Sequence, residues 1–304
     1  MKGSTSSKTE ERLLDATDAG ASEEAAPVAK LSRSLQLIVP MPLSAAIDEA
    51  VGLVEASPPR QSTFDIVLSG GGLAIYYSSA CVAILGQLSR HGTIKVPRVY
   101  GVSCGAVSGA CFLAVEAGAM PIEAIYRSYQ VFMRGRWLLD SLRSWMDEAF
   151  PTDIHERATG RLFITVTDVG SASRRAVSTY PTRADLLDAI VGSATIPGLT
   201  STAWLRPTRY PAAKWVDGVH PLVPSPTAAP CQLHVDHFRA AVRAGYAPWR
   251  LFLPIDWDFD ILALRGTKDL VRVLAHGLSI RPSAIWLETS SRRATGRATA
   301  TSKL

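Results

Sequence analysis

Gly101-Val102-Ser103-Cys104-Gly105 sets a serine between two glycines in the pattern G-x-S-x-G, where the apolar run Val99 to Val102 gives way to small residues from Ala106 to Ala117. This is the pattern of a nucleophile elbow, in which a strand turns sharply into a helix and lifts the serine hydroxyl above a sheet. The turn strains the serine backbone and needs small neighbours on both sides, which Gly101 and Gly105 supply. A helix starting there aims the positive end of its dipole at negative charge developing on the serine. A serine hydroxyl is a poor nucleophile near neutral pH, so Ser103 also needs a base within hydrogen-bond reach and donors for the oxyanion that forms. Gly70-Gly71-Gly72 follows the apolar run Phe64 to Leu68 and can point bare backbone N–H groups into the space above a sheet.

Two schemes for the base stay open. In a Ser/Asp dyad, Asp217, held at a tight turn by Gly218, takes the proton directly. In a Ser/His/Asp triad, one of His220, His234, His237 and His276 would do so. Asp217-Gly218 also reads as an ordinary Asp-Gly turn, and the glycine triplet as a flexible turn. His234 and His237, three apart beside Asp236, have the spacing of a metal pair but no further clustered ligand. The four cysteines, Cys81, Cys104, Cys111 and Cys231, stand singly, which signals neither a zinc site nor a disulfide framework.

The elements that must position these groups follow from periodicity and breakers. An extended piece around residues 35–39 and an amphipathic helix through Ile47, Ala50, Val51 and Val54 precede the core and stop at Pro58-Pro59. The spacing then predicts a strand over 64–68, a helix over 73–89 and a second strand over 98–101 that leads into the elbow. Consecutive units of this kind predict a parallel sheet with helices on its faces. Residues 121–147 read as helical, with Tyr126, Tyr129, Phe132, Trp137, Leu138, Leu142 and Trp145 among arginines. That stretch is either a helical pair packed on the core or an interfacial face that meets lipid. Further expectations are a strand over 162–169, a partner over 176–180, a helix over 183–194, a short strand over 214–216, an apolar strand over 249–254 and a long helix over 258–278. There is no internal repeat.

At 304 residues the chain can bury one substantial core. The expected organisation is a disordered lead over 1–30, one domain over 31–288, and a flexible basic tail over 289–304. The lead has no continuous apolar segment, and no stretch reaches the roughly 18 apolar residues that a spanning helix requires. Contact with a membrane or lipid droplet is therefore expected to be peripheral. The net charge of +5 comes from scattered arginines, with Arg292, Arg293, Arg297 and Lys303 making the tail basic. Either a solvated surface or attraction to anionic headgroups accounts for it. No recognised motif points to nucleic acid. Ser302-Lys303-Leu304 is the tripeptide that the peroxisomal import receptor reads at a free C-terminus, so a peroxisome or related organelle such as the glycosome is the expected location, with the cytoplasm as the default otherwise.

The glycine triplet after a first strand, G-x-S-x-G after a second and Asp-Gly after a later one resemble, in that order, the patatin-like phospholipase family over about residues 64–225. The branch of adiponutrin and adipose triglyceride lipase is the most similar. The segments that carry the likeness are Tyr100 to Ala106, Leu139 to Leu142, Ile154 to Leu162, and Val191-Gly192-Ser193-Ala194-Thr195-Ile196-Pro197. The resemblance implies a three-layer α/β/α fold with a mainly parallel central sheet. It implies Ser103 as nucleophile, Asp217 as base and Gly70, Gly71 and Gly72 as the oxyanion hole. It also implies hydrolysis of a glycerolipid ester, of the triacylglycerol lipase or phospholipase A type, through an acyl-enzyme and without metal or organic cofactor. Relatives can also pass the acyl group to another alcohol.

Two positions depart from the family pattern. Leu73-Ala74-Ile75 follows the glycines, where the family has a basic or bulky residue and a further glycine. Val219-His220-Pro221-Leu222-Val223-Pro224 follows Asp217-Gly218, where the family has another glycine and an asparagine. These departures keep two alternatives on the page: a catalytically impaired lipid-binding or regulatory protein on the same scaffold, and a small-ester hydrolase with a histidine triad.

Overall fold

Asp65-Ile66-Val67-Leu68 is a short apolar run bounded by Pro58-Pro59 and the glycine triplet, and it forms β1 (Asp65–Leu68), buried along its whole length. A strand covered on both faces reads as a continuous apolar run, which is why no alternation marks it. The computed structural model describes residues 43–120, 125, 138–198, 200, 215–223, 229–245, 259–276 and 284–289. The lead over 1–30, the piece around 35–39, nearly all of 121–137, the apolar run 249–254 and the tail 290–304 lie outside the described residues.

Helix α1 (Leu43–Ala56) precedes β1, and α2 (Ile75–Arg90) joins it to β2 (Val99–Val102). Helix α3 (Cys104–Glu116) leaves β2 at Ser103 and lies directly on the sheet. A Cβ on Gly109 would stand 2.7 Å from Leu162 Cδ1 and 3.1 Å from Val99 Cγ1, so the small residues of the 106–117 run are what let the helix approach. Helices α4 (Leu138–Ala149) and α5 (Ile154–Ala158) lead to β3 (Leu162–Asp168) and β4 (Ser173–Val177). Helix α6 (Arg183–Ser193) starts at a capping box in which Thr182 and Asp185 satisfy each other's backbone N–H groups. Then come β5 (Trp215–Asp217), β6 (Cys231–Val235), α7 (His237–Arg243), α8 (Phe259–His276) and β7 (Ile285–Thr289).

The fold is α/β, with helices flanking one mixed seven-stranded sheet in the order β4-β3-β2-β1-β6-β7, and with β5 paired to β3. The strands β6, β1, β2 and β3 run parallel at the centre, and β4, β5 and β7 are antiparallel to their neighbours. The β3–β4 link has to be antiparallel because a tight turn joins the strands. Asp168 Oδ1 accepts from the N–H groups of Gly170 at 2.9 Å and Ser171 at 3.3 Å, which folds that turn. The partner of β3 thus runs over 173–177, not 176–180. Tyr180 is instead a buried ring whose hydroxyl donates to the carbonyls of Leu162 and Val177. Sequence reasoning also missed β6, α7 and β7, although β6 lies next to β1 at the sheet centre.

The pairing along β3 decides where the site forms. β2 covers the start of one edge, from Val99 opposite Leu162 to Val102 opposite Thr165. β4 covers the other edge, from Ile164 opposite Val177 to Asp168 opposite Ser173. β5 therefore takes up the edge that β2 has left, with Asp217 opposite Val166 and Trp215 opposite Asp168. The chain turns away from β3 at Ser103, and the next position along that edge is filled by Asp217.

Candidate active site

Ser103 stands at φ 55° and ψ −129°, in the left-handed half of backbone space that side chains rarely adopt. The corner is closed by contact with neighbouring backbone. A Cβ on Gly101 would stand 2.6 Å from the Gly105 carbonyl oxygen, and one on Gly105 would run into the carbonyl oxygens of Leu68 and Ser69. Both glycines of the elbow are thus fixed by close approach. Ser103 itself is 8 % exposed, at the start of α3.

The strained amide of Ser103 has a partner that the sequence did not reveal. Its N–H donates to Ser193 Oγ at 2.8 Å, and the Ser193 hydroxyl donates in turn to the Thr165 carbonyl at 2.7 Å. Ser193 ends α6, so this relay ties the elbow to α6 and to β3. Replacing Ser193 by Ala leaves a buried N–H and a buried carbonyl without these bonds, at a cost of about 1–3 kcal/mol. The expected outcome for Ser193→Ala is a lower denaturation midpoint at unchanged m-value. Parental stability would mean that the relay carries no weight.

Asp217 is positioned on several sides. Its N–H donates to the Thr195 carbonyl at 2.9 Å, its carbonyl accepts from Thr167 Oγ1 at 2.9 Å, and its Oδ1 accepts from the Val219 N–H at 2.7 Å. Gly218 passes so close to β3 that a Cβ there would lie 2.7 Å from both Thr165 Cγ2 and the Thr165 carbonyl oxygen. Burial raises the carboxyl above the ordinary carboxylate range, while hydrogen bonds from the Ser103 side chain and the Val219 N–H, and the charge of His220, pull it back. The Ser103 side chain thus lies close enough to the carboxyl to favour its charged form. Val219 occupies the position where the family pattern has a glycine, and it sits at φ 63°. A β-branched side chain in that region is strained.

The glycine loop fills the third side. A Cβ on Gly70 would lie 3.3 Å from Ser103 Cβ and 3.7 Å from the Val219 carbonyl oxygen, and one on Gly71 would lie 2.5 Å from His237 Cβ. Gly72 has φ 53° and opens a single 3-10 turn, Gly72–Ala74. The amides of Gly71 and Gly72 lie near Cys104, the residue after the serine, and act against the burial of its thiol, which donates to the Ser69 carbonyl at 3.9 Å. Burial pushes that thiol well above its usual range, so it stays neutral. Sulfur is a weak acceptor, so both N–H groups keep most of their capacity for an oxyanion beside Ser103.

The histidines have other roles. His234 lies flat on Trp286, with ring centroids 4.8 Å apart, and its Nε2 meets Glu288 at 3.1 Å. His237 is buried behind the glycine loop, where its backbone N–H donates to Ser69 Oγ at 2.9 Å, and desolvation pushes its pKa down to about 4. His220 is exposed and acts on Asp217 through its charge. Among the described residues no hydrogen bond joins any of these three to Ser103. His276 is the last residue of α8. Ser193, Thr165 and Ser69 are the positioning residues that sequence reasoning passed over. Only Ser193 had a signal, since it lies in a segment that carried the family likeness.

A serine on a strand-to-helix corner above a mixed α/β sheet, with a carboxylate on the next strand position, is the arrangement that the patatin-like class would need. The chain is 31% identical over 174 residues to patatin-like phospholipase domain-containing protein 2 of Homo sapiens, covering 53% of this chain and 33% of that protein. It is 31% identical over 160 residues to patatin-like phospholipase domain-containing protein 4 of Homo sapiens, covering 49% of this chain and 60% of that protein. Omega-hydroxyceramide transacylase of Mus musculus matches at 25% identity over 180 residues, 57% of this chain and 29% of that protein. No family model matches the chain. The chain spans about a third of the length of the first curated relatives it matches. Over the matched half the chain is similar to patatin-like phospholipase domain-containing proteins.

Proposed function

We propose that the chain is a lipid acyl hydrolase acting on glycerolipid esters at a lipid surface, with Ser103 as nucleophile and Asp217 as its base. The observation that supports this most directly is the succession of Ser103 and Asp217 along one edge of β3, Val102 standing opposite Thr165 and Asp217 opposite the next residue, Val166. Ser103 Oγ adds to the ester carbonyl carbon as its proton passes to Asp217. The carbonyl oxygen becomes an oxyanion facing the Gly71 and Gly72 amides and the N-terminus of α3. Collapse of the adduct expels the alcohol, which takes the proton from Asp217, and leaves an acyl ester on Ser103. Water, deprotonated by Asp217, then adds to that ester, and collapse of the adduct releases the fatty acid and Ser103 Oγ, which takes the proton back from Asp217. An alcohol in place of water would give transfer instead, as the name of the ceramide transacylase relative describes for that protein.

One observation favours a second reading, a lipid-binding protein with impaired catalysis: the turn after Asp217 carries a strained Val219, at φ 63°, where the family pattern has a glycine. A fluorophosphonate probe separates the two. In the proposed enzyme the purified protein forms a covalent adduct on the peptide containing Ser103, and it releases fatty acid from emulsified triacylglycerol or from phospholipid vesicles. Absence of both adduct and release overturns the hydrolase reading in favour of the second.

A further inference from the structure

The large apolar side chains that are exposed among the described residues number four, Val169, Val219, Phe238 and Val242, at 44 %, 63 %, 47 % and 46 % exposure. They are not scattered. Val169 follows the carboxyl end of β3, and Phe238 lies three residues beyond the end of β6. Val219 follows Asp217 by two residues. These three lie at the carboxyl end of the parallel strands, where Ser103 leaves β2, and Val242 lies one turn of α7 beyond Phe238.

The glycine loop links two of them to the serine. A Cβ on Gly70 would lie 3.3 Å from Ser103 Cβ and 3.7 Å from the Val219 carbonyl oxygen, and one on the next residue, Gly71, would lie 3.1 Å from the Phe238 amide nitrogen. Val219 and Phe238 thus stand on either side of the loop that faces Ser103. Val219 keeps its exposed side chain in spite of φ 63°, a geometry that glycine would adopt without strain.

Helix α7 carries the pattern outward. His237, Ala240 and Ala241 are buried, and Phe238, Arg239, Val242 and Arg243 are exposed. Two apolar residues one turn apart run beside two arginines one turn apart. The Arg239 guanidinium is held 5.1 Å from the centroid of the Trp286 ring, which fixes its direction, and Asp236 lies 3.9 Å from it. An apolar edge lined by guanidinium groups suits the boundary between acyl chains and anionic headgroups, and a protein partner has no comparable need for both features beside an ester-cleaving site.

We infer that the outer face of α7, with Val219, is the surface on which the protein docks to an anionic lipid interface, so that the opening beside Ser103 faces the lipid. The inference rests on the hydrolase reading for its purpose but not for its test. Full-length protein carrying Ser103→Ala is sedimented with vesicles of phosphatidylcholine alone or mixed with phosphatidylglycerol. Binding is expected to the mixed vesicles and to fall about tenfold or more in Phe238→Ser/Val242→Ser and in Arg239→Gln/Arg243→Gln, given the contribution of each basic residue near an anionic surface. In the background with Ser103 intact, the same pairs are expected to hydrolyse a water-soluble short-chain ester at the parental rate and vesicle lipid at about a tenth of it. Undiminished binding by both variant pairs overturns the inference, as does equal binding to neutral and anionic vesicles. A dimer that Phe238→Ser/Val242→Ser dissociates, with no vesicle binding, assigns the face to a second copy of the chain and overturns it too. Vesicle binding through α7 without hydrolysis of any ester supports the docking surface while the hydrolase reading falls.

Discussion

Ser103→Ala is expected to lower kcat on any ester substrate by about a thousandfold or more, which corresponds to about 4 kcal/mol of lost transition-state stabilisation. The loss should fall on kcat with little change in KM, because the methyl that remains occupies the same pocket and the docking surface is untouched. The fluorophosphonate adduct should vanish with the activity. The elbow adds a second, independent readout. At φ 55° and ψ −129° both serine and alanine are strained, and glycine is not. Ser103→Gly is therefore expected to be as inactive as Ser103→Ala yet more stable, by about 1–3 kcal/mol in denaturant unfolding, the usual cost of such a backbone outlier. Strain at this corner serves function and not stability. If Ser103→Gly proves less stable than Ser103→Ala, the corner is not strained and the elbow geometry loses its support. If Ser103→Ala keeps parental turnover, the nucleophile is another group.

The elbow and the strands on either side of it were legible because each is local. Gly101, Ser103 and Gly105 lie within five residues, and β1, β2 and β3 are apolar runs ended by recognisable breakers. What could not be read was pairing across distance. β5 is only three residues long, and nothing between Trp215 and Asp217 tells that the strand lies against Val166 to Asp168 on the edge that β2 leaves free. Asp217 could be named as a candidate base from its Asp-Gly turn, but its closeness to Ser103 is a consequence of register. β6 was missed for a related reason. Cys231-Gln232-Leu233-His234-Val235 alternates polar and apolar like an exposed strand, yet it lies beside β1, and all of it but His234 is fully buried. Gln232 and His234 made it look peripheral. Ser193 was in view inside a segment that carried the family likeness, but its bond to the Ser103 amide spans 90 residues and follows only from the folded chain. The Asp217 motif without its usual second glycine shows the opposite case. The local rule predicts a disturbed turn, and the structure keeps the turn, holding Val219 in the left-handed region so that its N–H still reaches Asp217 Oδ1.

Asp217→Asn should bring the second large effect, about a thousandfold in kcat, the upper part of the range for a general base that acts in both steps. Asparagine keeps an oxygen to accept from the Val219 N–H, so the turn survives and the loss reports the missing base. Because burial raises the carboxyl, the protein with Asp217 intact should lose kcat/KM as pH falls through a value above the ordinary carboxylate range, as the base becomes protonated. Stability should move the other way. A carboxyl that binds its proton more tightly folded than unfolded favours the native state at low pH, and that contribution is lost as pH rises from the unfolded pKa through the raised folded one. Asp217→Asn abolishes the loss. Its melting temperature should match the parent at the acid end of that window and exceed it above the window, while its activity is low throughout. These profiles separate the dyad from a histidine triad. A Ser/His/Asp enzyme would instead fail on replacement of His220 or His237. If Asp217→Asn retained the parental rate while either histidine replacement lost it, the carboxyl beside Ser103 would be a structural group, and the proton would have to reach an imidazole that none of the hydrogen bonds described for Ser103 now touches.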